Sequence, residues 1–536
     1  MDAVLSWFTT NGGTIDDAAV GFTDFPDSGR GAVALCDIPE NHVLFKIPRT
    51  LLLSEDTSTL PQQIGAEEWK RRKMQVGWAG LILCMMWEAA RGTESKWGPY
   101  LDSLPTHFDT PMFWSEEELA ELKGTSIADK LGKADAERDF VEKVLPLVHD
   151  RPDVFPPSSI SAFYTIEMYH LMGSRILSRS FDVEGRAAAE PDNEDGDEAI
   201  GGNTSIGSAM DVDDPASPPA LVPADPDPEP EDSVEQEEHD TDSDSDSDDF
   251  IDVLVTMVPL ADMLNARYES ENAKLFYEKD ALGMMSTREI KKGEQIYNTY
   301  GDPPNSDLLR RYGHVDLVPL PPSLTADEPQ PVLGNPKDLV EIRADLVPAV
   351  LQTAEEVKKA RVDWWLEQGG DDVFVLESDL ALPPALIAFI RLLRLSEADW
   401  ETAVAKDKIP KAKLTGEDIG EVLGVVVGVL ERRMGEYAGN GPGLEASPIL
   451  PPSSHGPRTF QADLALLASP TVPLSRNKRH ALIVRVGEKR ILLRTLEKLR
   501  VEAEKFNTKG SSSGGGKKRK AADEAGRSGG GKTRRR

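Results

Sequence analysis

Two tyrosines that each precede a glycine are the residues of this chain best suited to chemistry. Tyr300 belongs to the segment NTYG, and Tyr312 lies twelve residues later in RRYG. A strand-like run leads into Tyr300 and a glycine follows it, so we expect its ring to project at a turn. A hydroxyl there can orient a nucleophile and polarise its surroundings. From the residues alone, Tyr300 could equally be a core tyrosine, and Tyr312 a core residue at a helix end.

A second candidate segment, VPLADMLNA (258–266), follows the apolar run IDVLVTMVPL. It places Asp262 three residues before Asn265, where a buried strand would give way to a loop. A side-chain amide at this point can hydrogen-bond to the ammonium and heterocyclic groups of a ligand. The alternative interpretation of Asn265 is an Asx turn at a strand-to-loop junction.

The N-terminal region has a β-rich pattern around residues 29–53. Two strand-like runs, AVAL and VLFKI, flank the turn-forming residues IPEN, which predicts a hairpin. Gly29 and Gly31 flank Arg30, and glycines allow the backbone to approach a ligand closely. A tight turn is the alternative explanation for these glycines. The same hairpin pattern recurs in MSTREIKKGEQIYN (285–298).

The segment between these β-rich regions is predicted to be helical. Residues 70–92 carry apolar side chains at i, i+3 and i+4 and end at a glycine. Their methionines and tryptophans fit a core better than a cofactor site. Ser115 and Glu118 form a capping box that predicts another helix start. Residues 128–149 and 158–181 are also periodic.

In this order and spacing, the segments resemble the SET-domain protein-lysine methyltransferases, in the branch of Rubisco-methyltransferase-like enzymes. Only Cys36 and Cys84 are present, which excludes a four-cysteine zinc site and fits a branch without cysteine-rich flanks. The resemblance implies an α+β fold, in which a β-rich SET domain is split by a helical insertion. It also implies an all-α substrate-binding domain at the C-terminal side, S-adenosyl-L-methionine as the methyl donor, and no metal.

The resemblance also assigns roles to residues. Tyr300 would be catalytic, and the donor pocket would contain Gly29, Arg30, Gly31, Arg179, Asp262, Asn265, Ala266, Tyr300 and Tyr312. Asn265 would lie where two segments thread through each other, which is an exception to the rule against threading. Many relatives have a histidine at the position of Ala266. The alanine found here resembles the fungal ribosomal-lysine branch. Arg179 would pair its planar guanidinium with the donor carboxylate, unless it is a surface arginine.

Charge is distributed very unevenly along the chain. The formal net charge is -33, and residues 187–249 contain 23 Asp or Glu and no Lys or Arg. This segment has too few apolar residues to offset its ordering entropy, so its composition predicts disorder. It would be either a solvated loop insertion or a docking surface for a basic partner.

The basic residues concentrate at the C-terminal end. KKRK (517–520) and KTRRR (532–536) lie in a glycine- and serine-rich stretch, which predicts a flexible tail with a nuclear localisation signal. An import receptor would bind it and place the protein in the nucleus. The alternative is a generic basic tail that contacts RNA or acidic surfaces. The N-terminus lacks the basic region of a secretory signal, so we expect no such signal. The apolar runs of the chain are too short to span a bilayer.

The predicted organisation divides the 536 residues into several parts. They are the N-terminal part of the SET domain (1–60), the helical insertion (61–182), the acidic insertion (183–249), the C-terminal part of the SET domain (250–313), a proline-rich connector (314–337), the helical substrate-binding domain (338–506) and the basic tail (507–536). We expect a monomer that does not contact membranes or bind nucleic acid directly.

The resemblance to the fungal ribosomal-lysine branch implies methylation of a lysine on a large-subunit ribosomal protein, and two other functions stay open. The first is a SET-family enzyme that methylates histones or another nuclear protein. The second is a non-enzymatic acidic chaperone or adaptor for basic proteins, built on a decayed SET scaffold. Tyr300 and Asn265 are both present, which argues against decay, whereas the acidic tract favours binding of basic partners. Binding of S-adenosylmethionine would separate the chaperone from the enzymes.

Overall fold

The structure is a computed structural model that describes residues 1–184 and 253–512, apart from residues 27, 326–327, 329–330, 415–417 and 438–458. The chain forms two compact units. The first contains Met1–Val340 and Glu436–Lys489, and the second contains Glu341–Gly435 and Arg490–Arg536. The acidic segment 187–249 and both basic clusters of the tail lie outside the described residues.

The strands of the described residues are short. They are β1 (Thr14–Ile15), β2 (Val20–Phe25), β3 (Gly29–Ala34), β4 (Val43–Pro48), β5 (Ser180–Glu184), β6 (Val253–Met257), β7 (Ala273–Tyr277), β8 (Ala281–Ser286), β9 (Gln295–Ile296), β10 (Val318–Pro319), β11 (Leu333–Gly334), β12 (Leu339–Arg343) and β13 (Val373–Glu377). Their sheets have the strand orders β1-β4-β8-β7, β2-β3-β9, β5-β6, β10-β11 and β12-β13.

The two predicted hairpins do not form, because each segment pairs with the other one. Strand β3 pairs with β2 and β9, whereas β4 pairs with β1 and β8. Ile38 and Ile290 exchange backbone hydrogen bonds of 2.8 and 2.9 Å between the two turns. Both turns contain a left-handed residue, Asn41 with φ 61° and Gly293 with φ 86°. Each turn therefore carries the chain from one sheet to the other.

The helices of the first unit lie mainly between β4 and β5. They are α1 (Asp2–Thr10), α2 (Leu60–Ile64), α3 (Ala66–Arg71), α4 (Ala79–Arg91), α5 (Gly98–Ser103), α6 (Glu116–Leu119), α7 (Ser126–Lys130), α8 (Lys133–Asp139), α9 (Leu145–Asp150), α10 (Pro157–Phe163), α11 (Ile166–Arg179), α12 (Asn305–Asp307), α13 (Pro322–Thr325) and α19 (Phe460–Ala468). The capping box of Ser115 and Glu118 is present at the start of α6, as predicted.

The predicted helix 70–92 is interrupted between α3 and α4. Lys73 and Gly77 both have left-handed backbone, with φ 54° and 73°, and the buried Met74 lies between them. Helix α4 ends before Gly92, as expected. Its residues from Leu81 to Trp87 are all buried, so the prediction that the methionines and tryptophan belong to the core is confirmed.

The second unit is mostly helical. Its helices are α14 (Leu346–Val350), α15 (Glu355–Glu367), α16 (Pro384–Arg394), α17 (Glu397–Ala405) and α18 (Ile419–Met434), and the long helix α20 (Arg476–Ser512) runs from the first unit into it.

The prediction that residues 338–506 are all-α is wrong in one respect, because β12 and β13 form a two-stranded sheet. The run VFVLE of β13 alternates buried and exposed side chains, a strand pattern too short to stand out among helices. The compact units also differ from the predicted boundary, since residues 436–489 cluster with the first unit. Among the described residues, no helix is long and apolar enough to cross a membrane.

Candidate active site

The segment after β6 forms a tight turn beside the end of β9. Leu260 has φ 69°, an unusual conformation for a leucine, and Ala261–Met263 form a single 3₁₀ turn. The chain then runs parallel to the segment after β9. Asn265 forms a parallel bridge with Tyr297, and the backbone N–H of Asn298 donates to the backbone carbonyl of Asn265 at 3.0 Å. The structure thus brings together the two candidate segments that sequence analysis singled out.

Tyr300 lies at the centre of this region. Its hydroxyl donates to the Leu264 carbonyl at 3.3 Å, and its ring stacks on Tyr312 with centroids 4.3 Å apart and planes at 10°. Tyr312 ends the π-helical turn Leu308–Tyr312, and Gly313 follows with φ 75°. Burial raises the pKa of both tyrosines above the usual value, so both hydroxyls are neutral at physiological pH.

A buried carboxylate, Asp262, lies beside the tyrosine pair. The Tyr100 hydroxyl donates to Asp262 Oδ2 at 2.9 Å, and Arg179 donates to the Asp262 backbone carbonyl. Burial raises the pKa of Asp262 to about 6, although Arg179 and Tyr100 oppose this rise. Asp262 Oδ1 and Arg179 Nε have no hydrogen-bond partner among the described residues. Asp262 Oδ1 can therefore accept a hydrogen bond from a ligand, and the charged Arg179 can donate one through Nε.

The predicted glycine segment lies against Asn265. The Asn265 amide donates to the Arg30 carbonyl at 3.3 Å. A Cβ on Gly31 would lie 2.5 Å from Gln295 Nε2 and 2.6 Å from Asn265 Nδ2, so any larger residue would force these two side chains to move. Gly29 has φ 67° and open space around it. The Arg30 side chain is exposed and donates to the Ser103 carbonyl, so its backbone, rather than its guanidinium, faces Asn265.

The predicted residues therefore fall into two adjacent groups. One contains Tyr300, Tyr312, Asp262 and Arg179. The other contains Gly31, the Arg30 carbonyl and Asn265, with Ala266 next in the chain and Gly29 at the start of β3. Their assigned roles in donor binding stay predictions.

Sequence reasoning missed two residues of this region. Tyr100 lies in α5, 162 residues before the carboxylate it binds, and no local pattern indicates that contact. Asn298 is 1% exposed, and its Oδ1 has no partner among the described residues. It could have been found, because it begins the NTYG segment that drew attention to Tyr300.

The arrangement suits the binding and alignment of a cation. Two neutral aromatic rings lie next to the carbonyl of Leu264 and the carboxyl group of Asp262, and all of these attract positive charge. A hydroxyl held by a backbone carbonyl has a fixed direction, so it can orient a reacting group. None of these residues is a serine, cysteine or lysine, and burial keeps the tyrosine hydroxyls neutral, so the geometry favours positioning over covalent catalysis.

Comparison with known proteins identifies the family. The SET domain family matches residues 29–301, which span the opening strands, the helical insertion and Tyr300. The chain therefore belongs to the SET-domain family.

Curated relatives share moderate identity with this chain. Ribosomal lysine N-methyltransferase 4 of Saccharomyces cerevisiae is 30% identical over 293 residues, which cover 54% of this chain and 50% of the relative. The N-lysine methyltransferase setd6 of Danio rerio is 32% identical over 305 residues, covering 55% and 53%. The chain spans about half the length of the curated relatives it matches.

Solved structures share the fold across almost the whole chain. The structure of Rubisco LSMT bound to sinefungin and monomethyllysine has a TM-score of 0.59 at 18% identity, and covers 95% of this chain and 94% of that one. The structure of Rubisco LSMT bound to AdoMet has a TM-score of 0.58, also at 18% identity, covering 95% and 93%. At this identity the likeness establishes the fold.

Proposed function

We propose that the protein is a protein-lysine N-methyltransferase that uses S-adenosyl-L-methionine. The observation that carries this proposal is the half-buried Tyr300, stacked on Tyr312, with its hydroxyl directed at the Leu264 carbonyl. Membership of the SET-domain family supports it, and so do the names of the relatives.

The residues present fit such a donor. Its methionine part carries a carboxylate and an ammonium group, for which a guanidinium and amide or carbonyl oxygens are suitable partners. Arg179 Nε and Asn298 Oδ1 are buried atoms without a partner among the described residues. Gly31 keeps the backbone of β3 free of side-chain bulk beside Asn265. The donor, when bound, supplies an electrophilic methyl group on a sulfonium.

The chain's own residues would orient the lysine amine and exclude water. The Tyr300 hydroxyl stays neutral because burial raises its pKa, so it can hydrogen-bond to an amine without bringing negative charge. Tyr312 fixes the plane of the Tyr300 ring from one face. Such alignment of reacting atoms can lower a barrier by roughly 7–11 kcal/mol. The amine must lose its proton before it attacks, and the neutral Tyr300 hydroxyl adds no negative charge that would hold that proton.

The substrate class we propose is a lysine on a large-subunit ribosomal protein. The name of the yeast relative supports it, and an acidic chain with net charge -33 suits a basic protein partner. The second candidate is a lysine of a histone or another nuclear protein, which the same site chemistry would accept.

Two measurements test the proposal together. Calorimetric titration with S-adenosylmethionine should show binding, which an acidic chaperone would not need. Labelled methyl transfer to purified ribosomal large subunits and to histones, followed by mass spectrometry, should label a ribosomal lysine. Preferential labelling of histones would replace the substrate class but keep the activity. Donor binding without transfer to any lysine would overturn the activity itself.

We also propose that the protein acts in the nucleus as a monomer. The clusters KKRK and KTRRR support binding to an import receptor. Removing residues 509–536 should move a tagged protein to the cytoplasm without changing activity in vitro. Continued nuclear accumulation with a salt-sensitive loss of substrate affinity would indicate instead that the tail grips RNA or an acidic partner.

A further inference from the structure

A surface pocket of about 450 Å³ in the second unit has an aromatic and apolar lining from α15 and α17. Trp364 and Trp400 form its aromatic part, with ring centroids 5.5 Å apart and planes at 81°. Ala360, Ala405 and Val404 complete the apolar part, and Val404 is 41% exposed. An aromatic pair beside an exposed aliphatic side chain gives the pocket a contiguous apolar lining.

Three acidic residues, Asp363, Glu367 and Glu401, form the rest of the lining, and all are exposed. None of their carboxylates forms an ion pair or a side-chain hydrogen bond with any residue the structure describes. The described lining includes no Lys or Arg. The pocket therefore combines apolar surface with three carboxylates that form no ion pair among the described residues.

The nearest buried basic residues of α15 are already engaged elsewhere. Arg361 donates to the Leu393 carbonyl at 2.9 Å, and its guanidinium lies 5.4 Å from the centre of the Trp400 ring. Lys358 pairs with Glu355 at 2.9 Å. Neither side chain lines the pocket, although the Arg361 guanidinium lies against the Trp400 ring and also pairs with Glu397 at 3.8 Å.

We infer that this pocket binds a lysine- or arginine-rich segment of another protein. Indole rings attract ammonium and guanidinium groups most strongly among aromatic side chains. The aliphatic stem of a lysine or arginine packs on apolar surface while its charged end stays among polar groups. Val404 and the two alanines provide that surface, and Asp363, Glu367 and Glu401 provide the opposite charge.

The charge of the pocket also rejects other partners. Three unpaired carboxylates repel phosphate groups, so nucleic acid and phosphopeptides are excluded on electrostatic grounds. This inference does not depend on the methyl-transfer activity, because the pocket residues are separate from the group of Tyr300, Tyr312, Asp262 and Arg179.

The first test measures binding of a lysine-rich peptide to the full-length protein by calorimetry at physiological salt. The same peptide with glutamine in place of lysine should bind much more weakly. The triple variant Asp363→Asn, Glu367→Gln, Glu401→Gln should lower the affinity roughly tenfold, because each exposed ion pair contributes modestly. These exposed, near-isosteric changes should leave the melting temperature unchanged.

A charge-matched control separates the pocket from the overall acidity of the chain. The triple variant Glu356→Gln, Asp371→Asn, Glu377→Gln removes the same charge from exposed residues of the same unit, outside the pocket. It should keep the affinity of the unchanged protein. If both triple variants lose affinity equally, or neither loses any, the inference is overturned.

A second pair of variants tests the apolar part of the pocket. Val404→Lys places a cation inside it and should abolish peptide binding, whereas Val375→Lys, at a site 42% exposed on β13, should not. Equal effects of the two changes would overturn the inference. Truncation after residue 512 should leave the affinity unchanged. A several-fold rise in peptide affinity would show that the chain's own basic tail fills the pocket. That result would overturn the inference that the pocket binds a segment of another protein.

Discussion

Two polar clusters of the first unit differ in how completely their charged atoms are paired. The first, the ion cluster, consists of Asp463, Arg485, Lys489 and Glu121. Arg485 donates to both carboxylate oxygens of Asp463, at 2.9 and 3.0 Å, and Lys489 donates to one of them at 2.7 Å. Arg485 also reaches the Glu121 carbonyl at 2.7 Å. The three charged groups at its centre are fully buried.

The second, the tyrosine cluster, consists of Tyr100, Arg179, Asp262 and Tyr300. Asp262 accepts one hydrogen bond from Tyr100, and its other oxygen has no partner among the described residues. Arg179 donates to the Asp262 backbone carbonyl, and it bonds to no carboxylate oxygen of the residues that the structure describes. In this cluster the carboxyl group of Asp262 and the guanidinium of Arg179 lie close together, but without the carboxylate–guanidinium contact that Asp463 and Arg485 make.

The difference separates a structural network from a functional one. A buried charge network is tolerated when each member is hydrogen-bonded, and it then holds its elements in one arrangement. Buried polar atoms without partners cost free energy, so they persist where a ligand or a reaction uses them. The ion cluster should therefore control stability, and the tyrosine cluster should control activity.

Breaking the ion cluster should have the largest effect. Asp463→Asn removes the carboxylate that Arg485 and Lys489 share, although Arg485 keeps its ion pair with Glu121 at 3.2 Å. We expect a loss of about 3–5 kcal/mol in the free energy of unfolding. The control is Glu278→Gln, which breaks the exposed pair with Lys46 at 3.0 Å and should cost less than about 1 kcal/mol. Denaturant titration measures both. Similar losses in the two variants would contradict the comparison.

The tyrosine cluster should instead give a pH-dependent signal. The pKa of Asp262 in the folded protein is about 6, above the ordinary 3.8, so the fold disfavours its ionised form. The stability that the protonated carboxyl supports is complete below pH about 4 and is lost as pH rises through about 6. The wild type should therefore lose up to about 3 kcal/mol relative to Asp262→Asn over this window.

Unfolding free energies of the wild type and Asp262→Asn, measured in parallel from pH 4 to pH 7, test this prediction. Other titrating groups contribute equally to both proteins and cancel in the difference. A difference that stays constant with pH, or that grows in the opposite direction, would mean that the fold does not disfavour the ionised form of this carboxyl.

Removal of one hydroxyl from the tyrosine cluster should affect turnover without affecting the fold. Tyr300→Phe keeps the ring that stacks on Tyr312 and loses the bond to Leu264, so we expect methyl transfer to slow by about 100-fold or more. Tyr277→Phe is the matched control, because Tyr277 also donates to a backbone carbonyl at 3.3 Å. Initial rates and melting curves are compared. Near wild-type rates in a folded Tyr300→Phe protein would remove Tyr300 from the mechanism.

Local features of the fold could be predicted from the sequence, and long-range pairings could not. The capping box at Ser115 and the helix end before Gly92 depend on a few neighbouring residues, and both are present. The partner of a strand is not encoded locally. Val43 pairs with Met285, more than two hundred residues away, so two real strand patterns were joined into the wrong hairpins.

The same limit applies to the candidate site. Tyr300 and Asn265 could be singled out because their segments have a family-like order, and the structure brings both segments together. The contact of Tyr100 with Asp262 depends on how the helical insertion packs against the turn after β6. No periodicity or spacing contains that information, so this residue could emerge only from the folded chain.

The smallest effect that we predict distinguishes two asparagines of the site region. Asn265→Ala removes an amide that lies against Gly31 and donates to the Arg30 carbonyl at 3.3 Å, where we propose that the donor binds. One lost hydrogen bond should weaken donor affinity by up to about tenfold, with little change in affinity for the protein substrate.

Asn272 is the matched control for this prediction. Its side chain accepts from the Tyr297 amide at 2.7 Å and donates to the Gln295 carbonyl at 3.0 Å, so both ends of the amide are used within the fold. Asn272→Ala should lower the melting temperature, because it leaves buried backbone groups unpaired. Separate titrations with donor and with substrate compare the variants. Unchanged donor affinity in Asn265→Ala would show that the crossing of the two segments holds the backbone and does not contact the donor.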